Sequence, residues 1–66
     1  MSQLVYMANQ IARNLAAQGD EAAIAQTAQH IHDFWDPRMK AAIFAPDVEG
    51  LEPLARAAVE RLREAG

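Results

Sequence analysis

Apolar residues recur every three or four positions along the chain, and this spacing breaks at only three points: Gly19–Asp20, Asp36–Pro37 and residues 46–50. A period of this length places apolar side chains on one face of an α-helix, whereas a half-buried strand requires strict alternation. No segment alternates in that way. The sequence therefore predicts an all-α fold, a small bundle of three to four short helices in a single domain over residues 1–66. The predicted helices cover roughly residues 2–18, 20–35, 37–45 and 51–65.

Residues at the breaks favour helix ends. Ser2 is suited to cap the first helix, and Gly19 can adopt the left-handed conformation that ends it. Asp20 is then a good cap for the second helix, and the short joint between the two predicts an antiparallel hairpin. At the next break, Asp36 is predicted to cap a third helix that has Pro37 in its first turn.

Each predicted helix has one apolar face that should form the core. These faces comprise Leu4, Met7, Ala8, Ile11 and Leu15; Ile24, Thr27, Ala28, Ile31, Phe34 and Trp35; Met39, Ile43 and Phe44; and Leu51, Leu54, Ala55, Ala58 and Leu62. Residues 46–50 are predicted to be the loop before the last helix. In that helix Glu52 and Arg56 are four residues apart, a spacing that favours an ion pair between them.

The predicted core is small for the chain that it must order. Of the 66 residues 52% are hydrophobic, but 15 of these are alanine and only 19 are bulky apolar or aromatic residues. The sequence contains no cysteine, so neither a disulfide nor a thiolate-bound metal supplements the core. These numbers exclude a multi-domain enzyme, and they predict a helical module that completes its burial against another protein.

Charge and hydropathy limit the classes of partner. Six lysines and arginines against nine aspartates and glutamates give a net charge of −3, which argues against a general nucleic-acid-binding protein. No apolar run approaches the roughly 18 residues of a membrane span. The N-terminus has no basic leader before an apolar segment, so we expect a cytoplasmic protein that binds neither nucleic acid nor membrane.

Residues that could perform catalysis are scarce. His30 and His32 are two positions apart, about 160° around a helix, whereas two ligands of one metal on a helix are usually four apart. Ser2 and Tyr6 are the only serine and the only tyrosine, and both lie near the N-terminus. Each of the four aspartates, at positions 20, 33, 36 and 47, is explained as a helix cap, a turn residue or a solvent-exposed surface residue. We therefore expect a non-enzymatic chain with no catalytic, cofactor-binding or metal-binding residue.

The segment Phe34–Met39 contains the only tryptophan, three of the larger apolar groups and an arginine. In one interpretation Phe34 and Trp35 pack between the helices on either side of Pro37, and Arg38 lies over the indole ring in a cation–π contact. In the other interpretation the segment anchors a partner protein, because tryptophan and arginine dominate interface hot spots. Both interpretations remain open from the sequence.

Asn9 and Arg13 form a second polar pair; they are one turn apart on the first helix, opposite its predicted apolar face. Simple solvent exposure explains the pair, and a second docking face is the alternative. The candidate partner-binding residues are Asn9, Gln10, Arg13, His30, Phe34, Trp35, Arg38 and Met39.

Several of these residues belong to motifs that resemble a known family. The segment Met7–Ile11 (MANQI), followed by His30–Ile31 and Phe34–Met39 (FWDPRM), is similar to the delta subunit of NAD-dependent, molybdenum-containing formate dehydrogenases. The similarity extends to Leu51–Leu54 (LEPL) and covers almost the whole chain. The matched residues are Asn9, Gln10, His30, Phe34, Trp35, Pro37, Arg38 and Met39.

The resemblance implies a small, non-catalytic subunit of a cytoplasmic bacterial formate dehydrogenase. In such enzymes the catalytic alpha subunit carries bis-molybdopterin guanine dinucleotide and iron–sulfur clusters, while the beta and gamma subunits carry FMN, further clusters and the site for NAD. The resemblance implies that the delta subunit has no redox group, docks on the alpha subunit and supports its assembly, stability or cofactor insertion. Two alternatives stay open: a transient maturation factor absent from the finished enzyme, and an unrelated helical module that associates with itself.

Overall fold

Residues 3–65 are described by a computed structural model, and they form four α-helices and one short 3-10 turn. The elements in chain order are α1 (Gln3–Leu15), a 3-10 turn (Ala16–Gln18), α2 (Asp20–Phe34), α3 (Pro37–Phe44) and α4 (Pro53–Ala65). The all-α fold predicted from the sequence is confirmed. Within residues 3–65, no helix is both long and apolar enough to cross a membrane.

The turn between α1 and α2 depends on Gly19, whose φ of 100° lies in the region that glycine tolerates and other residues avoid. Its N–H donates to the carbonyl of Ala16 at 3.1 Å, and its carbonyl accepts from Ala23 at 2.9 Å. Gly19 thus occupies the N-cap position of α2, and Asp20 is the first helical residue. The prediction that Asp20 caps this helix is therefore wrong. Ser2, the other predicted cap, lies outside the described residues.

The joint between α2 and α3 forms as the sequence predicts. Asp36 has an extended backbone, and its Oδ1 accepts the Met39 N–H at 2.8 Å, while Pro37 fills the first helical position. Lys40 Nζ donates to the carbonyl of His32 at 2.9 Å, which places a cation at the negative end of α2. These contacts hold the short α3 in a fixed direction relative to α2.

The core contains smaller side chains than the predicted apolar faces. Its buried hydrophobic residues are Val5, Ala8, Ala12, Ala23, Ala28, Ile31, Trp35, Ile43, Ala55, Ala58 and Val59. Leu4, Met7, Ile11, Leu54 and Leu62 pack only partly buried against this core. Alanines at the helix contacts allow the backbones to approach closely, so the larger side chains lie at the margins of each contact. The faces predicted for α1 and α4 are therefore rotated toward Val5 and Val59.

Helix α4 begins at Pro53, two residues later than predicted, and Glu52 immediately precedes it. The Glu52 carbonyl accepts the first helical hydrogen bond, from Arg56 N at 2.8 Å, and Pro53 occupies the position where a missing N–H costs nothing. The segment 45–52 before it is non-helical, in accord with the predicted loop.

Candidate partner-binding surface

The candidate residues fall in two places. Asn9, Gln10 and Arg13 lie on α1, and the other five lie where α2 meets α3. We call the second place the α2–α3 corner, defined by His30, Phe34, Trp35, Arg38 and Met39. The two groups have different surroundings.

At the α2–α3 corner, Phe34 is the most exposed of the large hydrophobic residues that the structure describes. Its side chain is 73% exposed, although the helical spacing predicted it to be in the core. The His30 ring lies one turn earlier on α2, with the two ring centroids 4.8 Å apart and the planes tilted by 39°. This contact restrains Phe34 and forms an aromatic patch on the surface.

Trp35, the next residue, is buried at 4% exposure and belongs to the main core cluster. The helix ends at Phe34, and Trp35 adopts an extended backbone (φ −92°, ψ 135°) that directs the chain away from the helical path. The interpretation of the indole as a packing residue between helices is therefore confirmed. The same interpretation is wrong for Phe34, which faces solvent.

Arg38 is exposed, and within residues 3–65 it makes no ion pair, side-chain hydrogen bond or cation–π contact. The predicted stacking of its guanidinium on Trp35 is therefore wrong. Met39 is half-buried and packs against the core cluster. Of the five corner residues, Phe34, His30 and Arg38 are the ones whose side chains face solvent.

Both histidines of α2, His30 and His32, are exposed, and His32 contacts an acidic neighbour. Asp33 Oδ1 accepts a hydrogen bond from Gln29 Nε2 at 2.9 Å and lies 3.1 Å from His32 Nδ1. The bond from Gln29, followed by that from His32, lowers the pKa of the Asp33 carboxyl group. In the part of the chain that the structure describes, no three histidine, cysteine or acidic side chains are grouped to hold a metal ion.

On α1, Asn9 binds the segment that leads into α4. Its Nδ2 donates to the Gly50 carbonyl, and its Oδ1 accepts from the Glu52 N–H, both at 2.9 Å. Asn9 is only 7% exposed, so the interpretation of this side chain as exposed polarity is wrong. A hint was present in the sequence, since Asn9 is four residues after Val5 and three before Ala12, on the face that the structure buries.

Arg13 pairs with the same segment. Its Nε donates to Glu52 Oε1 at 3.0 Å, and its Nη2 contacts Glu52 Oε2. The hydrogen bond from Arg13 lowers the pKa of the Glu52 carboxyl group, although both side chains are accessible to solvent. Glu52 therefore pairs with Arg13 across the fold, and the predicted pair with Arg56 does not form.

A groove that the sequence did not reveal runs between the 45–51 segment and α4. Its lining includes Ile43, Pro46, Val48, Leu51, Val59, Arg56, Glu60 and Arg63. The two arginines are seven residues apart and so share a face of α4, a spacing visible in the sequence. Tyr6 on α1 is 57% exposed and is, with Phe34, one of the two large hydrophobic side chains exposed on the described surface.

Comparison with known proteins shows a family model that matches most of the chain. The family described as "NADH-dependant formate dehydrogenase delta subunit FdsD" matches residues 3–59, which contain all eight candidate residues. No curated protein and no solved structure matches the chain significantly. The match covers most of the 66 residues and agrees with the resemblance carried by the MANQI and FWDPRM motifs. The chain therefore belongs to the delta-subunit family of NADH-dependent formate dehydrogenases.

Proposed function

We propose that the chain is a non-catalytic accessory subunit that docks on the molybdenum-bearing catalytic alpha subunit of a cytoplasmic formate dehydrogenase. In this proposal it supports assembly, stability or cofactor insertion of the alpha subunit and remains in the finished complex. Membership of the delta-subunit family supports the assignment of the chain to a formate dehydrogenase complex. It argues against the alternative of a self-associating helical module unrelated to that enzyme. The docking role rests on the surface of the chain.

The observation that carries the docking role is the exposure of Phe34 on a restrained corner. A phenylalanine that is 73% exposed contributes little to the folding stability of a monomer. In protein interfaces, by contrast, aromatic and arginine side chains supply much of the binding energy. Buried Trp35 and the Asp36 cap fix the backbone on the C-terminal side of Phe34, so that little conformational entropy is lost on docking. Unpaired Arg38 adds a charged group at the same corner.

The non-catalytic role is supported by the functions that the polar residues already have. Asp36 caps a helix, Glu52 pairs with Arg13, and Glu21 pairs with Arg61. Iron–sulfur clusters require thiolate ligands, and this sequence contains no cysteine. We propose that bis-molybdopterin guanine dinucleotide, the iron–sulfur clusters and FMN are held by the alpha, beta and gamma subunits, with NAD as their substrate.

The experiment is co-purification of the tagged chain with co-expressed alpha, beta and gamma subunits. We expect the wild-type chain to retrieve the alpha subunit in constant stoichiometry with active enzyme. Phe34→Ala and Arg38→Glu should each reduce the amount retrieved, and Tyr6→Ala is the matched control because it removes an exposed aromatic ring from α1. Formate-dependent NAD reduction and molybdenum content report whether the loss affects the catalytic subunit.

Two results would contradict this proposal. If Phe34→Ala and Arg38→Glu retrieve as much alpha subunit as the wild-type chain does, the corner has only a structural role. If the chain is found only with cofactor-free alpha subunit and is absent from active enzyme, it is a transient maturation factor instead.

A further inference from the structure

A second surface of the chain combines an apolar floor with arginines that have no acidic partner. In the groove between the 45–51 segment and α4, the side chains of Ile43 and Val59 are buried, and those of Val48 and Leu51 are half-buried. A neighbouring depression lined by Leu51, Pro53 and Arg56 extends the groove toward the start of α4. The accessible apolar side chains of this groove are therefore those of Val48 and Leu51.

Two arginines at this groove, Arg56 and Arg63, have no carboxylate partner among residues 3–65. Carboxylates outnumber cations in the sequence by nine to six, so an arginine can readily find an acidic partner within the chain. Arg13 and Arg61 do so, with Glu52 and Glu21. Arg56 and Arg63 pair with no carboxylate among residues 3–65; Arg63 Nη1 instead donates to the Phe44 carbonyl at 3.1 Å.

The two arginines lie on the α4 side of the groove, seven residues apart. Seven residues on α4 place them on the same face, about 10.5 Å apart along the helix axis. Glu60 lies between them, so the lining residues together carry a net charge of +1, and Asp47 and Glu49 of the 45–51 segment lie outside this lining. This arrangement favours an occupant that brings carboxylates next to Arg56 and Arg63 and an apolar side chain onto the floor.

We propose that this groove binds an acidic segment of another subunit of the formate dehydrogenase complex, in which carboxylates alternate with apolar side chains. This inference rests on the proposed function and adds a second contact, separate from the α2–α3 corner. The Asn9 and Arg13 contacts to Gly50 and Glu52 fix one side of the groove before the segment binds. A preformed wall of this kind reduces the ordering cost of association.

The test is a competition between two tagged copies of the full-length chain, one wild-type and one variant, co-expressed with limiting amounts of the other subunits. We expect Arg56→Glu to be retained at least about tenfold less than the wild-type chain, since it places like charges against each other. Glu60→Gln should be retained about two- to threefold more, because it removes a repulsive charge from the groove. Glu64→Gln, the same change on α4 but outside the groove lining, should be retained equally.

Circular dichroism of each purified variant establishes that its helices are intact, and a photo-crosslinker at exposed position 47 identifies the segment bound. Crosslinking to a peptide that contains aspartate or glutamate next to apolar residues supports the proposal. Equal retention of Arg56→Glu and wild-type chain, or crosslinking to a segment without carboxylates, overturns it and leaves the proposed function intact. If the two tagged copies retrieve each other without other subunits, the occupant is a second copy and the proposal is wrong. If the wild-type chain retrieves no other subunit, both the groove proposal and the proposed function are wrong.

Discussion

Phe34 and Trp35 are adjacent in the chain and have opposite environments: Phe34 is 73% exposed, and Trp35 is 4% exposed. The change occurs because α2 ends at Phe34 and the backbone of Trp35 is extended. The two aromatic residues therefore have separate roles, Trp35 in the core and Phe34 on the surface. Substitutions at the two positions should affect stability very differently.

Trp35→Ala should lower the free energy of unfolding by about 3–5 kcal/mol, the usual cost of removing a large buried aromatic side chain. Phe34→Ala should change it by less than about 0.5 kcal/mol, because the ring contacts mainly His30 and solvent. Urea unfolding followed by far-ultraviolet circular dichroism measures both variants without relying on tryptophan fluorescence. Trp35→Phe provides a milder variant in case the alanine variant does not fold. Equal destabilisation by Phe34→Ala and Trp35→Ala would contradict the assignment.

Asn9→Ala should destabilise the chain by about 1–3 kcal/mol, because the Gly50 carbonyl and the Glu52 N–H both lose a partly buried partner. The Glu52 amide should also exchange its proton with solvent faster, which hydrogen-exchange NMR measures residue by residue. Asn14→Ala is the matched control, since Asn14 is an exposed asparagine on the same helix. If the Glu52 amide keeps its wild-type exchange rate in Asn9→Ala, this hydrogen bond does not hold the segment.

The ion pair of Arg13 and Glu52 predicts a pH dependence. The pKa of Glu52 is lowered in the folded chain from its ordinary value of 4.5, chiefly by the hydrogen bond from Arg13. A lowered folded-state pKa means that the pair stabilises the fold above the unfolded pKa and that this contribution is lost as pH falls through the folded pKa. Stability should therefore decline on acidification below about pH 4.5.

NMR titration of the glutamate side-chain carboxyl carbons tests the cause of this shift. In Arg13→Gln the pKa of Glu52 should rise toward its ordinary value. The pKa of Glu21, which Arg61 lowers in the same way, should stay unchanged and serves as an internal control. A Glu52 that titrates identically in both proteins would exclude Arg13 as the cause.

Thr27→Val should stabilise the chain by about 1 kcal/mol, because it replaces a buried hydroxyl by a methyl group of similar size. Thr27 is 0% exposed, and its Oγ1 has no hydrogen-bond partner among the residues that the structure describes. Thr27→Ala is the comparison variant; it removes the hydroxyl and also leaves a cavity, so it should be less stable than Thr27→Val. Thermal unfolding of the three proteins gives the order, and a Thr27→Val variant less stable than the wild-type chain would show that the hydroxyl has a partner.

Local features of the fold could be predicted from the sequence, because neighbouring residues determine them. The helical period and the Asp36–Pro37 helix start each depend on only a few consecutive positions. The rotation of the α1 face toward Val5 could not be predicted in this way. It depends on how closely two helices approach, and alanines on both partners decide that distance.

The candidate site depends still more on distant contacts. The side chain of Asn9 binds backbone groups 41 and 43 residues away. The residues close to Asn9 in the sequence therefore give no indication of which groups it binds. The helical spacing of Phe34 fits the core face and therefore predicts burial, whereas the structure has this side chain exposed. The helix ends at this residue, and its ring lies outside the core.

The length of α2 has a consequence for the molecule as a binding partner. Gly19 fixes the beginning of this helix, and the Asp36–Pro37 joint fixes its end. Each helical residue turns the chain by about 100°, so inserting or deleting a single residue between these points would rotate its last turn against the core. The number of residues in α2 thus selects which of two consecutive aromatic rings is buried in the core and which is exposed on the surface.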